Sequence, residues 1–129
     1  MTASRKDFVN YRMKRARDVY DDALILAEND KWNSTMNRLY YAAYYAVTAL
    51  LLLHDSNPAT HNGTKSEFSE HFIKKGYISK EQGKMYSQLF NWRHKGDYDD
   101  LFDFDEQQIR PYIGPVKEFI DLIESLVKK

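Results

Sequence analysis

The stretch Leu39–Leu53, "LYYAAYYAVTALLLL", decides how the rest of the sequence is interpreted. Its residues are apolar or aromatic on every side of a helix, so no face is left for water. A membrane-spanning helix needs about 20 apolar residues in a row, whereas this run is shorter and contains four tyrosines. We therefore predict no membrane span. We predict instead a central helix that packs on several sides, including against a second subunit in a homodimer.

Helical periodicity continues on both sides of this stretch. The first helix is predicted from about Arg5 to Glu28, with its apolar positions on one face. The central helix is predicted to begin at a cap on Asn33 or Ser34 and to run to about His54. No run alternates as a β-strand does, and Gly and Pro fall mostly between the periodic segments. The sequence therefore predicts an all-α protein.

Two capping motifs predict where the later helices begin. Thr64 and Glu67 can form a capping box for a short third helix, which is predicted to end near Gly76. Ser79 and Gln82 have the same spacing and predict the start of the fourth helix.

The last helix carries apolar residues at helical spacing together with two prolines. Pro111 and Pro115 have no backbone N–H to donate, so we predict a kink or a late beginning there. Leu101, Phe102 and Phe104 are predicted to hold the preceding loop against the core. The expected fold is all-α, with four long helices plus one short helix.

Length and composition narrow the classes of function. The chain, residues 1–129, suits a single domain, and its 19 basic and 19 acidic residues leave no net charge. Binding of nucleic acid would therefore depend on a local patch. The absence of cysteine excludes disulfides, thiolate metal ligands and a cysteine nucleophile. The N-terminus lacks an apolar signal core, and we expect a cytoplasmic protein.

The histidines do not form a metal-ligand pattern. No Glu-x-x-His pair recurs on facing helices, as a di-iron bundle would require. The helical pair Glu67 and His71 is a spacing that chance often produces, and it selects no metal. We predict no metal site and no cofactor. The four histidines are His54, His61, His71 and His94.

The segment "HNGTKS", residues 61–66, superficially resembles a phosphate loop. It lacks the first glycine and the Gly-Lys adjacency of a Walker motif, so that interpretation fails. Two others remain open. Backbone amides at the start of the third helix could hold an anion together with Lys65 and His61. Alternatively, Thr64 only caps the helix and Lys65 is solvated.

Arg38 precedes the apolar run, and two interpretations of it remain open. It could form a clamp with one of the aspartates Asp97, Asp99 or Asp100, tying the second helix to the loop after the fourth. It could also converge with Arg93 on a phosphate.

The stretch "WRHKGDYDD", residues 92–100, concentrates polar side chains at the end of the fourth helix. Its basic residues can be explained by the negative end of the helix dipole, with Gly96 as the C-cap. We predict that Arg93 contacts Asp97, which orients the guanidinium toward a phosphate, and that Tyr98 closes the cleft. His94 and Lys95 are predicted to be solvated.

Three segments in this order resemble the HEPN domains (higher eukaryotes and prokaryotes nucleotide-binding). They are "NRLYYAAYYAVTALLL", "THNGTKSEF" and an arginine four residues before "DY". The likeness covers nearly the whole chain and is strongest to the compact bacterial and archaeal group that accompanies a minimal nucleotidyltransferase. It implies an up-and-down helical bundle that dimerises, with a polar cleft at or near the subunit interface.

Many HEPN proteins are metal-independent ribonucleases, and several are toxins restrained by the partner nucleotidyltransferase. Their signature is an arginine, commonly followed by a polar residue, and a histidine after four to six further positions. Arg93 matches the arginine, whereas Tyr98, Asp99 and Asp100 occupy the histidine window. The resemblance therefore implies binding of a nucleotide or RNA more than cleavage.

We accordingly predict a nucleotide- or RNA-binding homodimer that is a component of a toxin–antitoxin or defence-type system with a minimal nucleotidyltransferase as partner. One alternative is a metal-independent endoribonuclease that uses Arg93 with His94 or His61. A second alternative is a structural interaction module without a ligand. The predicted binding residues are Arg38, Tyr41, His61, Lys65, Arg93, Asp97 and Tyr98.

Overall fold

The computed structural model describes residues 2–99 and 102–128, and within these residues it contains helices and no strand. The all-α prediction is confirmed, with four long helices and one short one. A single turn of π-helix, Ser69–Ile73, continues the short helix. The helices are α1 (Arg5–Glu28), α2 (Trp32–Leu53), α3 (His61–Phe68), α4 (Lys80–Tyr98) and α5 (Glu106–Val127).

Helix α2 is the centre of the bundle and packs against α1, α3, α4 and α5. Its side chains from Ala46 to Leu51 are all buried, as the absence of a polar face predicts. Burial of each leucine or valine side chain there stabilises the folded state by about 1.5–3 kcal/mol. One chain thus buries most of α2 without a second subunit, so the homodimer stays a prediction. Among the described residues, no helix is long and apolar enough to cross a membrane.

Helix α1 has the predicted bounds because its cap and its apolar pattern agree. Ser4 and Asp7 form a capping box at its start, and its apolar face lies against α2. An ionic clasp joins α1 to α5: the two terminal nitrogens of Arg17 donate to Asp121 Oδ1 and Glu124 Oε1, each at 2.6 Å. The first and last helices are therefore linked directly.

The predicted cap of α2 at Asn33 or Ser34 is wrong. The helix begins at Trp32, and Lys31 in the cap position provides no side-chain hydrogen bond. The Asn33 side chain has a tertiary role instead. Its Oδ1 accepts from the Phe104 backbone N–H at 2.7 Å and its Nδ2 donates to Asp103 at 2.9 Å. Asn33 thus ties the start of α2 to the segment that leads into α5.

The predicted start of α3 is also wrong, by one helical turn. Thr60 is the cap, accepting from the Gly63 N–H, whereas Thr64 lies inside the helix and is fully buried. Burial leaves the Thr64 hydroxyl in need of an acceptor, and it donates to the Thr60 carbonyl at 2.9 Å. The helical segment ends at Ile73, close to the predicted end near Gly76, and Gly76 itself has φ +83°.

Helix α4 begins at the predicted capping box of Ser79 and Gln82 but ends later than predicted. Gly96 is not a C-cap, because the helix continues to Tyr98. A Cβ atom at Gly96 would lie 3.2 Å from the Phe104 ring and 3.5 Å from Met36 Cε. This glycine therefore permits close packing inside the helix.

The aromatic residues before α5 partly follow the prediction. Phe104 is buried beside Trp92 at a ring distance of 5.5 Å, and the half-buried Phe102 packs on Phe104. The same prediction for Leu101 lies outside the described residues.

Helix α5 begins before both prolines, so of the two predicted alternatives the late start is wrong and the kink stays a prediction. Asp105 and Gln108 form its capping box, and Pro111 and Pro115 lie inside the helix on its exposed side. The lost backbone hydrogen bonds are offset by an apolar stripe that reaches the core. The buried members of that stripe are Ile109, Val116, Phe119, Ile120 and Ile123.

Candidate functional site

Four tyrosines of α2 form one wall of the candidate site. Residues 40, 41, 44 and 45 occupy two adjacent ridges of the helix, because residues four apart lie one above the other. Tyr40 is buried and the other three are half-buried. Neighbouring rings are close, with centroid distances of 5.1 Å for Tyr40 and Tyr41 and 5.9 Å for Tyr44 and Tyr45.

The first residue of α3, His61, packs its ring onto this wall. His61 Nδ1 lies 2.6 Å from the Tyr40 hydroxyl, and the ring centroid lies 4.5 Å from that of Tyr44. Burial, and then the charge of Arg93, lower the pKa of His61 below its ordinary value. The imidazole is therefore held neutral near neutral pH. Burial also raises the pKa of Tyr40, which keeps its hydroxyl protonated.

Helix α4 contributes Arg93 at the polar end of its buried ridge. Tyr86, Leu89 and Arg93 follow one another at spacings of three and four, so the arginine points toward α2. Its side chain is only 18% exposed. Arg93 Nε donates to the Tyr41 hydroxyl at 3.2 Å, and the guanidinium carbon lies 5.9 Å from the Tyr41 ring centroid.

These side chains form one group, which we name the Arg93 cluster. The guanidinium of Arg93 and the ring of His61 lie on the same aromatic side chains, since each is 5.9 Å from the Tyr41 centroid. The two are therefore no more than twice that distance apart. The fold thus brings His61, the first residue of α3, and Arg93 of α4 onto the same tyrosine ring. The cluster comprises Tyr40, Tyr41, Tyr44, His61 and Arg93.

The predicted contact between Arg93 and Asp97 is present, and it forms within α4 instead of between the helix and a following loop. Arg93 Nε and Asp97 Oδ2 are 3.7 Å apart as a pair four residues apart in one helix. The predicted C-cap at Gly96 would place Asp97 after the end of the helix, whereas the helix continues to Tyr98. The distance makes this an ion pair and not a hydrogen bond.

Two other predicted binding residues, Lys65 and Tyr98, are not members of the cluster. The ammonium of Lys65 lies 4.8 Å from the Phe90 ring centroid. Tyr98 is exposed and packs on His94 at a ring distance of 4.6 Å, so it does not close a cleft over Arg93. His94 and Lys95 are exposed, as predicted.

Arg38 does not form the predicted clamp within the described residues. Its Nη2 donates to Asn37 Oδ1 at 2.6 Å, and its guanidinium lies 5.4 Å from the Tyr41 ring centroid. The adjacent amide oxygen captures the arginine locally, while Asp97 is paired with Arg93. The clamp with Asp100 lies outside the described residues. Arg38 and Asp97 instead line a surface pocket of about 450 Å³ between the start of α2 and the end of α4.

Two members of the Arg93 cluster, Tyr40 and Tyr44, were missed by the analysis of the sequence. Their spacing of four residues was visible as a ridge of α2, but the apolar run around them favoured a purely structural role. The contact of His61 with both rings is what assigns them to the site, and this contact is visible only in the folded structure.

The arrangement combines three chemical functions. The aromatic faces can stack with nucleobases, the guanidinium can bind a phosphate with charged hydrogen bonds, and the neutral imidazole can accept a proton. Among the described residues, no group of three histidine or acidic side chains that could hold a metal ion occurs here.

Comparison with known proteins gives the class to which this fold and site belong. The HEPN domain model matches residues 9–126, and the chain belongs to the HEPN family. A UPF0332 protein of Thermotoga maritima is 37% identical over 124 residues, covering 96% of this chain and 94% of the relative. A protein of Methanocaldococcus jannaschii named "Putative toxin MJ0605" is 32% identical over 107 residues, covering 83% of this chain and 79% of that protein.

Proposed function

We propose that this HEPN protein binds RNA at the Arg93 cluster. The observation that supports the proposal best is the state of Arg93. Its Nε is engaged by Tyr41, which fixes the plane of the guanidinium. Arginine has five N–H donors, so the two terminal nitrogens are available for a phosphate. The rings of Tyr41 and Tyr44, which contact each other, would stack with the base next to that phosphate.

Fluorescence anisotropy with a labelled single-stranded RNA tests this proposal. The wild-type protein should bind, and its affinity should fall as the salt concentration rises, because phosphate contacts release counterions. An absence of binding at low salt would favour a structural interaction module without a ligand. A free mononucleotide measured in parallel separates binding of RNA from binding of a nucleotide.

A specific observation supports a second candidate function, a metal-independent endoribonuclease. His61 lies beside Arg93 although the expected histidine window of the sequence contains none. In such a reaction His61 would take the proton of a ribose 2′-hydroxyl as that oxygen attacks the phosphorus. The bond from phosphorus to the 5′-oxygen would break, the imidazolium would return the proton to this leaving oxygen, and Arg93 would stabilise the charge on the phosphate. Tyr40 would hold the imidazole in place by accepting a hydrogen bond from Nδ1–H, which is the tautomer that leaves Nε2 able to take the proton.

Cleavage of a labelled RNA in the presence of EDTA distinguishes this enzyme from a binding protein. If the chain is an endoribonuclease, His61→Ala should lose cleavage and retain binding, whereas His94→Ala should retain both. Loss of cleavage in His94→Ala alone would assign the proton transfer to His94. No cleavage by the wild-type protein leaves RNA binding as the function.

The relatives named as toxins support a toxin-like role for the chain. We infer that the protein acts in the cytoplasm as part of a toxin–antitoxin or defence-type system, as a homodimer and with a minimal nucleotidyltransferase as partner. Co-purification with the product of a neighbouring nucleotidyltransferase gene tests the partnership. Sedimentation at tens of micromolar tests the homodimer, and a monomer would contradict it.

A further inference from the structure

One face of α1 combines exposed aromatic rings with arginines. Phe8, Tyr11, Arg12 and Arg15 follow the spacing of a single helical ridge, and we name them the α1 stripe. Phe8 is 52% exposed and Tyr11 is 60% exposed, which places them among the few large apolar side chains left in solvent. The core does not account for these rings, because the buried residues of α1 lie on another face of the helix.

Within the described residues, neither arginine of the stripe forms an ion pair with a carboxylate. Arg12 donates to the Thr48 carbonyl and to Asn57 Oδ1, each at 3.2 Å. Arg15 donates to the Tyr45 hydroxyl at 3.3 Å. All three acceptors are neutral oxygens. Arg17, on another face of the same helix, shows the opposite arrangement, with two carboxylates as partners.

The acidic residues near the stripe already have partners. Asp7 is part of the capping box with Ser4. Asp18 pairs with Lys14 and Asp55 pairs with Arg5. The hydrogen bonds of Arg12 and Arg15 therefore hold the two guanidinium groups in position and leave their positive charge to act on a ligand.

The stripe is joined to the Arg93 cluster by an unbroken series of ring contacts. The guanidinium of Arg15 lies 5.1 Å from the Tyr45 ring centroid. Tyr45 lies 5.9 Å from Tyr44, and Tyr44 lies 4.5 Å from His61. A chain of stacking surfaces thus leads from the cluster along α2 to α1.

We propose that the α1 stripe is a second binding surface for the same RNA, on which the single strand continues after it leaves the Arg93 cluster. Phe8 and Tyr11 would stack with bases, and Arg12 and Arg15 would contact phosphates. This inference rests on the proposed RNA binding and adds the path and the single-stranded character of the ligand.

A second copy of this chain is the less favourable occupant. In a two-fold dimer the same patch faces itself, so the uncompensated arginines of two stripes would lie together without acids between them. Single-stranded RNA offers both an array of phosphates and bases that stack irrespective of sequence.

Oligoadenylates of 3 and 12 nucleotides test the stripe, because the shorter strand fills the Arg93 cluster alone. Phe8→Ala/Tyr11→Ala should bind the 12-nucleotide RNA at least tenfold more weakly than wild type and change the affinity for the 3-nucleotide RNA less than twofold. Tyr77→Ala is the matched control, since Tyr77 is 59% exposed and packs beside Phe72, not on the stripe. It should bind both strands as wild type does.

A salt titration with the 12-nucleotide RNA isolates the two arginines. Arg12→Gln/Arg15→Gln should reduce the slope of log affinity against log salt by about 1.4, the value for two phosphate contacts to a single strand.

The possible failures are distinguishable. Equal binding of the 12-nucleotide RNA by wild type and Phe8→Ala/Tyr11→Ala overturns the stripe and leaves the Arg93 site intact. A wild-type protein that binds neither strand overturns both proposals. If Phe8→Ala/Tyr11→Ala converts a dimer to a monomer in sedimentation and leaves RNA affinity unchanged, the stripe is a subunit interface.

Discussion

Arg93 and His94 are neighbours in sequence and belong to different regions of the molecule. Arg93 ends the inner face of α4, where it is 18% exposed and lies on the tyrosines of α2. His94 is rotated about 100° from it around the helix and is exposed, in contact with Tyr98. Whether a basic side chain in this stretch belongs to the site therefore depends on the face of α4 on which it lies, and not on how close it is to Arg93 in sequence.

The largest effect should come from removing the inner cation. Arg93→Ala should weaken RNA binding about 10- to 150-fold, since hydrogen bonds to charged groups contribute about 1.5–3 kcal/mol to the binding free energy. His94→Ala should change the affinity less than twofold. Fluorescence anisotropy on both variants measures the difference. Equal losses would show that the inner and outer faces do not differ in function.

The next effect concerns packing below the site. Gly96→Leu should lower the free energy of unfolding by about 1–3 kcal/mol, because the added side chain collides with Phe104 and Met36. His94→Leu places the same side chain on the outer face and should change stability by less than about 0.5 kcal/mol. Urea denaturation compares them. If Gly96→Leu unfolds at the same urea concentration as the wild-type protein, the end of α4 accommodates the added side chain with no loss of stability.

A smaller effect should appear with pH. The pKa of His61 lies below its ordinary value of 6.5 in the folded protein, through burial and then Arg93. As the pH falls below 6.5, the unfolded chain therefore binds the proton first, and the free energy of unfolding decreases until the folded imidazole also titrates. His61→Gln should lose this decrease.

Titration of the His61 ring by NMR checks the same point directly. Arg93→Met should move the midpoint upward, because one cause of the lowered pKa is removed. A wild-type midpoint above 6.5 would contradict the sign of the shift.

The smallest effect should follow from Asp97. Its ion pair with Arg93 is long, at 3.7 Å, and its side chain is 43% exposed. Asp97→Asn should lower the free energy of unfolding by about 0.3–0.5 kcal/mol. It should also strengthen RNA binding slightly, since a negative charge beside the phosphate site is removed. A large loss of affinity would instead show that Asp97 contacts the ligand.

The ends of the helices were predictable from the sequence where local signals agreed. The prediction failed where tertiary packing decided between two local signals. The start of α1 had one cap, Ser4, in register with the apolar pattern. At α3 two threonines one turn apart could cap, and only burial decides that Thr64 is inside. Gly96 looked like a helix end because its close contacts with Phe104 and Met36 appear only in the folded structure.

The site was predictable in part for the same reason. Arg93 could be identified from its position beside the apolar ridge of α4, and His61 was a candidate from the start of α3. Their convergence required the three-dimensional contact of both with Tyr41. Tyr98 was misplaced because the predicted C-cap at Gly96 put it in a loop, whereas the helix carries it to the side of His94.

The clasp between Arg17 and the last helix bears on the order in which the chain folds. Its partners are separated from it by 104 and 107 residues, so closing this loop costs more chain entropy than pairing α1 with its immediate neighbour α2. The α1–α2 hairpin should then form early, and the clasp should form after the folding transition state. Loss of Arg17 would accordingly accelerate unfolding and leave the rate of folding almost unchanged.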